Sequence, residues 1–404
     1  MIKNRVFPMG IILIISSMTL HADIIDFYKK AVTTLQYNQE YSLKKEANKL
    51  NQKGVTYSRY ANFSLNADYS KTEAKKLPNT PGTFNTTNIT FNDTLDLFGK
   101  NIYKIDTLIL NLKSQKSLLN MQKEQLFISL VNMITLYNKT LKQDSLYRTV
   151  FNEQKSIYVK LVKLQQQGAI TSIDLLRFKN QLTVLKIKIM NQENEIVKMK
   201  KQLHAYAPNQ RIPALKSAKL LYSEKEFLNK NPQLQFNSIE AQKLLVLSEG
   251  LDRSYLPDVT AGAAYQQIGD PTSYGNNYSF TVGLQIPINS GNFKESQALK
   301  VKALSLKSKN IQYQIKRKNE YTTRFQNYIN ASKELKILQE SLSNYEKSAR
   351  TIKTAYLRQY VNFNTYLQVL MQTLHIKEQI LQVKSKKELE ATILNSIASG
   401  LIYE

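Results

Sequence analysis

Apolar residues along most of this chain recur four and three apart, the spacing of helices that pack along a narrow seam. Phe178, Leu182, Leu185, Ile189, Ile196, Met199 and Leu203 follow it, with Gln192 in the one polar seam position. Leu335, Leu338, Leu342, Tyr345, Ala349, Ile352 and Tyr356 repeat it without a gap. Leu108, Leu112, Gln115, Leu119, Gln122, Leu126 and Met133 carry a version diluted by glutamine. No proline or internal glycine interrupts residues 99–166 or 292–358. Each run predicts a helix of roughly 100 Å at 1.5 Å per residue, longer than a globular core needs.

Ahead of each long helix the period changes to two. Phe63, Leu65, Ala67 and Tyr69 alternate with polar residues, as do Ile89, Phe91, Leu95 and Leu97. Val259, Ala261, Ala263 and Tyr265 form a third such set, and Phe280, Val282, Leu284, Ile286 and Ile288 a fourth. These are strands with one apolar and one polar face, at about 61–72, 86–98, 257–268 and 277–289. "EAKKLPNTPGTFN" (73–85) and "QIGDPTSYGNN" (267–277) read as their connecting loops.

Tyr69 corresponds to Tyr265, Gly99 to Gly291 and Gly168 to Gln359, offsets of 196, 192 and 191 residues. A nearly constant offset is an internal duplication. The first repeat spans 23–204 (long helix 99–166, turn 167–172), a connector 205–228, and the second repeat 229–404 (long helix 292–358, turn 359–364). The fold class is mainly α with an amphipathic β part that a transmembrane barrel would need: two tandem repeats of helix, strand, strand, long helix and helix, the helices forming antiparallel coiled coils.

Residues 1–22, with Lys3 and Arg5 ahead of the apolar run Gly10–Ile15, read as a secretory signal peptide. The absence of cysteine excludes disulfides and thiolate metal sites. The formal net charge of +25 comes from lysines spread along every helical segment, which argues against the clustered footprint of a nucleic-acid binder. Of three histidines, His21 leaves with the signal, and neither His204 nor His375 has a carboxylate at ligand spacing. No enzyme motif and no cofactor site emerges.

Four strands are too few to close a barrel, and lipid does not tolerate unpaired edges. Either the sheet is a soluble meander or several chains share one barrel.

The ordered set "DLFGKN" (96–101), "GAITSIDLL" (168–176), "NPQL" (231–234), "YLPDVTAGAAY" (255–265) and "PINSGN" (287–292) resembles the outer membrane efflux proteins of the TolC family across essentially the whole mature chain. The resemblance implies a homotrimer in the outer membrane, with four strands per chain in a twelve-stranded barrel and a helical tunnel through the periplasm. It implies outer-membrane lipid against Phe63, Leu65, Tyr69, Phe91, Leu95, Val259, Tyr265, Phe280, Val282 and Leu284. A periplasmic membrane-fusion adaptor at Gly168, Ala169, Ile170 and Thr171 and an inner-membrane pump of RND or ABC type are the implied partners.

Family members close the periplasmic mouth with rings of aspartate. Here the matching positions are Thr365 and Gln368, with Gln359 in place of the tip glycine. The gate set is therefore Gln359, Asn362, Asn364, Thr365, Tyr366 and Gln368, with Asp174 from the first repeat, closing through neutral hydrogen bonds and aromatic packing. The expected function is passive export of small molecules or metal ions. Type I protein secretion is the alternative, and a soluble periplasmic coiled-coil scaffold or a basic coiled-coil nucleic-acid binder the competing classes.

Overall fold

The computed structural model describes residues 23–60, 62–73, 83–215, 219–270, 273–358 and 360–404; the expected signal peptide and Gln359 lie outside them. In chain order the elements are α1 (23–34), α2 (Tyr37–Ser58), β1 (Phe63–Glu73), β2 (Thr83–Leu95), α3 (Ile102–Gln166), α4 (Ser172–Tyr206), α5 (Glu224–Asn229), α6 (Pro232–Asp252), β3 (Asp258–Asp270), β4 (Ser273–Gln285), α7 (Ser290–Leu357) and α8 (Phe363–Ser399). α3 runs 65 residues and α7 runs 68. No described helix is long and apolar enough to cross a membrane.

The chain divides into two compact units, and they are not the two repeats. Of the described residues, the first takes those within 23–38, 120–231 and 314–404, the second those within 39–119 and 232–313. A helix as long as α3 or α7 meets different neighbours at its two ends, so each unit collects matching portions of both repeats.

The second unit holds an antiparallel sheet of order β1-β2-β3-β4. The register sets Leu65 opposite Phe91, Phe91 opposite Ala263 and Ala263 opposite Phe280. With side chains alternating between faces, all ten residues expected against lipid share one face. Phe63 stacks on Phe91 there at 5.2 Å and Tyr265 meets Tyr278 at 5.2 Å. Asn66, Asn88, Thr90, Asn92, Thr260 and Thr281 line the other face. Gly262 lies on that polar face, where a Cβ would come 2.5 Å from Asn92 Oδ1 and 3.2 Å from the Phe91 carbonyl.

Three boundaries differ from the sequence expectation. β2 ends at Leu95, so Leu97 leaves the ladder, because Asp96 is drawn into the turn ahead of α3: its carboxylate accepts from the N–H groups of Lys100 (2.8 Å) and Asn101 (2.7 Å). β4 likewise stops before Ile286 and Ile288. The stretch read as a loop at 267–277 is mostly strand, Ile268 pairing with Gly275 and Asp270 with Ser273.

Polar contacts join the helices of the second unit. Ser248 and Ser296 share a buried 2.8 Å hydrogen bond, and Ser114 donates to Glu240 at 2.6 Å. Apolar stripes remain uncovered: Leu43, Leu50 and Tyr57 at seven-residue spacing on α2, and Val301, Leu304, Ile311 and Ile315 on α7, are all more than half exposed.

The first unit has the conventional core. Phe27, Phe127, Leu130, Ile134, Leu203, Phe227, Ile393 and Ile397 pack from α1, α3, α4, α5 and α8. α3 is buried here over a wider arc than a single seam, which leaves the expected seam residue Gln122 exposed. The connector contains α5, opened by a capping box of Ser223 and Glu226. Asn395 of α8 fixes the connector by donating to the Lys219 carbonyl (2.8 Å) and accepting from the Leu221 N–H (2.9 Å).

Candidate functional site

The two helix reversals of the first unit are built alike. After α3, the Ala169 N–H bonds the Leu164 carbonyl at 2.8 Å and the Gly168 N–H bonds Gln165 at 3.0 Å, the paired closure of a Schellman turn. This requires a left-handed residue, and Gly168 supplies it with φ +74°. After α7, the Tyr360 N–H bonds the Ala355 carbonyl at 2.8 Å, the counterpart of the Ala169–Leu164 bond 191 residues later.

The following helices also start alike. Thr171 Oγ1 accepts from the Asp174 N–H at 3.1 Å, and Asn362 Oδ1 accepts from the Thr365 N–H at 2.9 Å. Asn362 also accepts from the Thr365 hydroxyl at 2.9 Å. Asn362, Thr365 and Thr171 are thus engaged in capping, while the Asp174 carboxylate stands in the first turn of α4, where the helix dipole favours negative charge. Asn364 accepts from Arg177 at 3.2 Å, tying the start of α8 to α4. Gln368 is exposed.

Tyr366 is a packing residue within the chain. Proposed from sequence as a mouth residue, it lies inside the chain at 3% exposure, because its position on α8 falls on the seam facing α7. Its ring stacks on Tyr356 at 4.9 Å with 4° between the planes. Phe363 bridges Tyr356 (6.0 Å) to Phe178 (6.1 Å), and Ile157 and Leu161 of α3 complete the cluster. Neither tyrosine hydroxyl has a hydrogen-bond partner. Burial pushes both phenols up to about 12; the Asp174 charge adds to the shift at Tyr356, and Tyr356 and Glu153 add to it at Tyr366.

Beside this cluster, α3, α7 and α8 line a half-open cleft of about 380 Å³. Gln154 lines it, 1% exposed, with neither amide atom bonded. Sequence reading passed over this residue. Its signal was present, since Tyr147, Val150, Gln154, Ile157 and Leu161 keep heptad spacing with one polar member.

Among the described residues no group of three or more histidine or acidic side chains is arranged to hold a metal ion. Among the described residues the arrangement offers packing and hydrogen bonding.

Long antiparallel helices that reverse at capped turns, joined to a four-stranded sheet with one apolar face, define the fold of TolC-like outer membrane channels. The chain superposes on the outer-membrane channel OprN with TM-score 0.78 at 14% identity, covering 94% of this chain and 91% of that one. CusC, whose crystal structures describe folding and transmembrane channel formation, gives 0.74 at 14% identity, covering 93% and 92%. The outer membrane protein VceC of Vibrio cholerae gives 0.71 at 11% identity, covering 94% and 96%. By sequence, the chain matches no family model and no curated protein. At these identities the likeness carries the fold alone.

Proposed function

We propose that this chain is one subunit of a trimeric outer-membrane duct that passively exports small molecules or metal ions. An inner-membrane pump would deliver them through a periplasmic adaptor. The observation that carries the reading is the sheet, apolar on one continuous face and unpaired at both β1 and β4. Such a sheet is stable in lipid only when other copies close it. The uncovered stripes on α2 and α7 support the same conclusion, since their heptad-like spacing suits helices of a neighbouring copy.

In this reading the ten residues of the apolar face meet lipid, and the Gly168–Thr171 turn meets the adaptor. The mouth is held by Asn364, Gln368 and Asp174 at the surface, while Tyr366 acts from within by fixing α8 against α7. Opening is a shift of α7 and α8 between two packed arrangements.

Fractionation of the native protein followed by its mass in detergent tests the proposal. A trimer in the outer membrane is expected, and Ile311→Lys in the α7 stripe should lower its yield. A soluble monomer or dimer in the periplasm would replace the duct with a scaffold. Sensitivity of a deletion strain to metals, bile salts and antibiotics then identifies the cargo class.

A further inference from the structure

We infer that the polar face of the sheet is a cation-favouring wall whose sign is set by Asp68, so that the cargo passing along it is cationic or neutral. The inference rests on the duct reading, in which this face lines the interior of the barrel.

The strand register carries it. Asp68 stands opposite Asn88, Asn88 opposite Gln266 and Gln266 opposite Asn277. One row across all four strands therefore holds a carboxylate and three carboxamides, and alternation puts them on the same face. Lysine and arginine make up 56 residues of this chain, yet none occupies a described position on that face. The one lysine of the described strands, Lys71, falls on the apolar side.

Two carboxylates share the polar face. Asp258, at the start of β3, is paired with Lys100 at 3.0 Å. Asp68 is exposed and enters no ion pair among the described residues. An uncompensated carboxylate among neutral amides and hydroxyls gives the wall a negative potential, and a closed barrel of low dielectric focuses it into the water inside. Threefold repetition sets three copies of Asp68 at one height. The absence of lysine matters equally, because a flexible ammonium side chain on this face would reach into the same water and cancel the field. The formal charge of +25 on the whole chain thus does not decide the sign of this wall.

The chain has no cysteine, so a single introduced thiol reports the local potential. Asn88→Cys places it opposite Asp68, and Asn92→Cys places it four residues along the same strand, about 13 Å further off. Each variant, checked for trimer mass and held in lipid nanodiscs, is reacted with trimethylammonioethyl and with sulfonatoethyl methanethiosulfonate. The ratio of the two rates is divided by that of free 2-mercaptoethanol. The corrected ratio at Asn88→Cys should favour the cation, and adding Asp68→Asn should lower it about threefold at physiological salt. At Asn92→Cys, beyond a Debye length of about 8 Å, the same exchange should change it far less. Asp68→Lys should reverse the preference at Asn88→Cys. A trimer in which Asp68→Asn leaves the Asn88→Cys ratio unchanged, or in which the anion reacts faster with Asp68 intact, would overturn the inference and leave the duct standing. Thiols shielded from both reagents in the trimer, or a soluble monomer on fractionation, would remove the duct and the inference together.

Discussion

Arg317 donates through Nη1 to the Glu124 carboxylate at 2.7 Å, and its guanidinium lies 4.2 Å over the ring of Phe227. Burial alone would lower the pKa of this guanidinium, but Glu124 and Glu320 reverse the effect and hold it charged. Glu320 reaches Arg324, which meets Glu390 at 3.0 Å, and Tyr403 donates to Glu124. Truncating one partner of such a buried pair leaves an uncompensated charge. Glu124→Ala should therefore cost about 3–5 kcal/mol, read as a fall in the urea midpoint, whereas replacing Arg317 and Glu124 together by Met and Leu should cost much less.

Gly168 has open space where a Cβ would go but a φ of +74°. Substitution there meets conformational strain with no steric clash. Gly168→Ala should destabilise by about 1 kcal/mol, and Gly168→Asn by less, since asparagine tolerates the left-handed region. Equal losses for both would show that something other than backbone conformation is at stake.

The stacked pair Tyr356 and Tyr366 should make the first unit sensitive to alkali. Their folded phenols titrate near 12 against an ordinary value of 10, so the unfolded chain loses these protons first. Stability is unaffected below about pH 10 and declines as pH rises from 10 to 12. Unfolding midpoints across that range should fall, and the double exchange to phenylalanine should flatten the slope.

Glu388 of α8 is buried, and burial raises its pKa above 4.5 despite Lys142 at 3.7 Å. The sign is opposite to that of a carboxylate stabilised by folding: the native state keeps the proton longer, so stability falls as pH climbs past 4.5. Glu388→Gln should raise the melting temperature by about 2 °C at neutral pH and leave it unchanged near pH 4. Thermal scans at the two pH values distinguish this from a loss of the Lys142 contact, which would lower the neutral value.

Much of this was legible in the sequence, for physical reasons. The seam of α4 is a repeated period, and Phe178, Leu185, Met199 and Leu203 are the buried members of that helix. The strand faces were legible because alternation is insensitive to exact ends. What escaped was whatever depends on a single polar side chain choosing a partner. Asp96 continues the β2 pattern on paper but leaves the ladder to close the turn ahead of α3. Ile268 and Gly275 sit in a stretch too rich in Gly, Asn and Ser to read as strand, yet ladder pairing carries through them. Tyr366 belongs to the expected mouth by its place beside Thr365 at the second-repeat turn, and which way its ring packs follows from the helical period, which turns it inward onto Tyr356. Gln154 passed unseen because a glutamine in a coiled-coil seam is usually diluted by solvent, and only the surrounding helices make it an orphan.

The sheet's two open edges give the molecule an arithmetic of assembly. A lone copy entering hydrocarbon would carry the bare N–H and C=O groups of β1 and β4 with it, and no rearrangement of its own four strands removes them. In the proposed duct insertion is thus a collective step, whose rate should climb steeply with the local density of chains at the membrane surface. Below that density the copies of such a duct would wait outside the bilayer, so the level of synthesis would set a threshold for barrel formation that no single residue encodes.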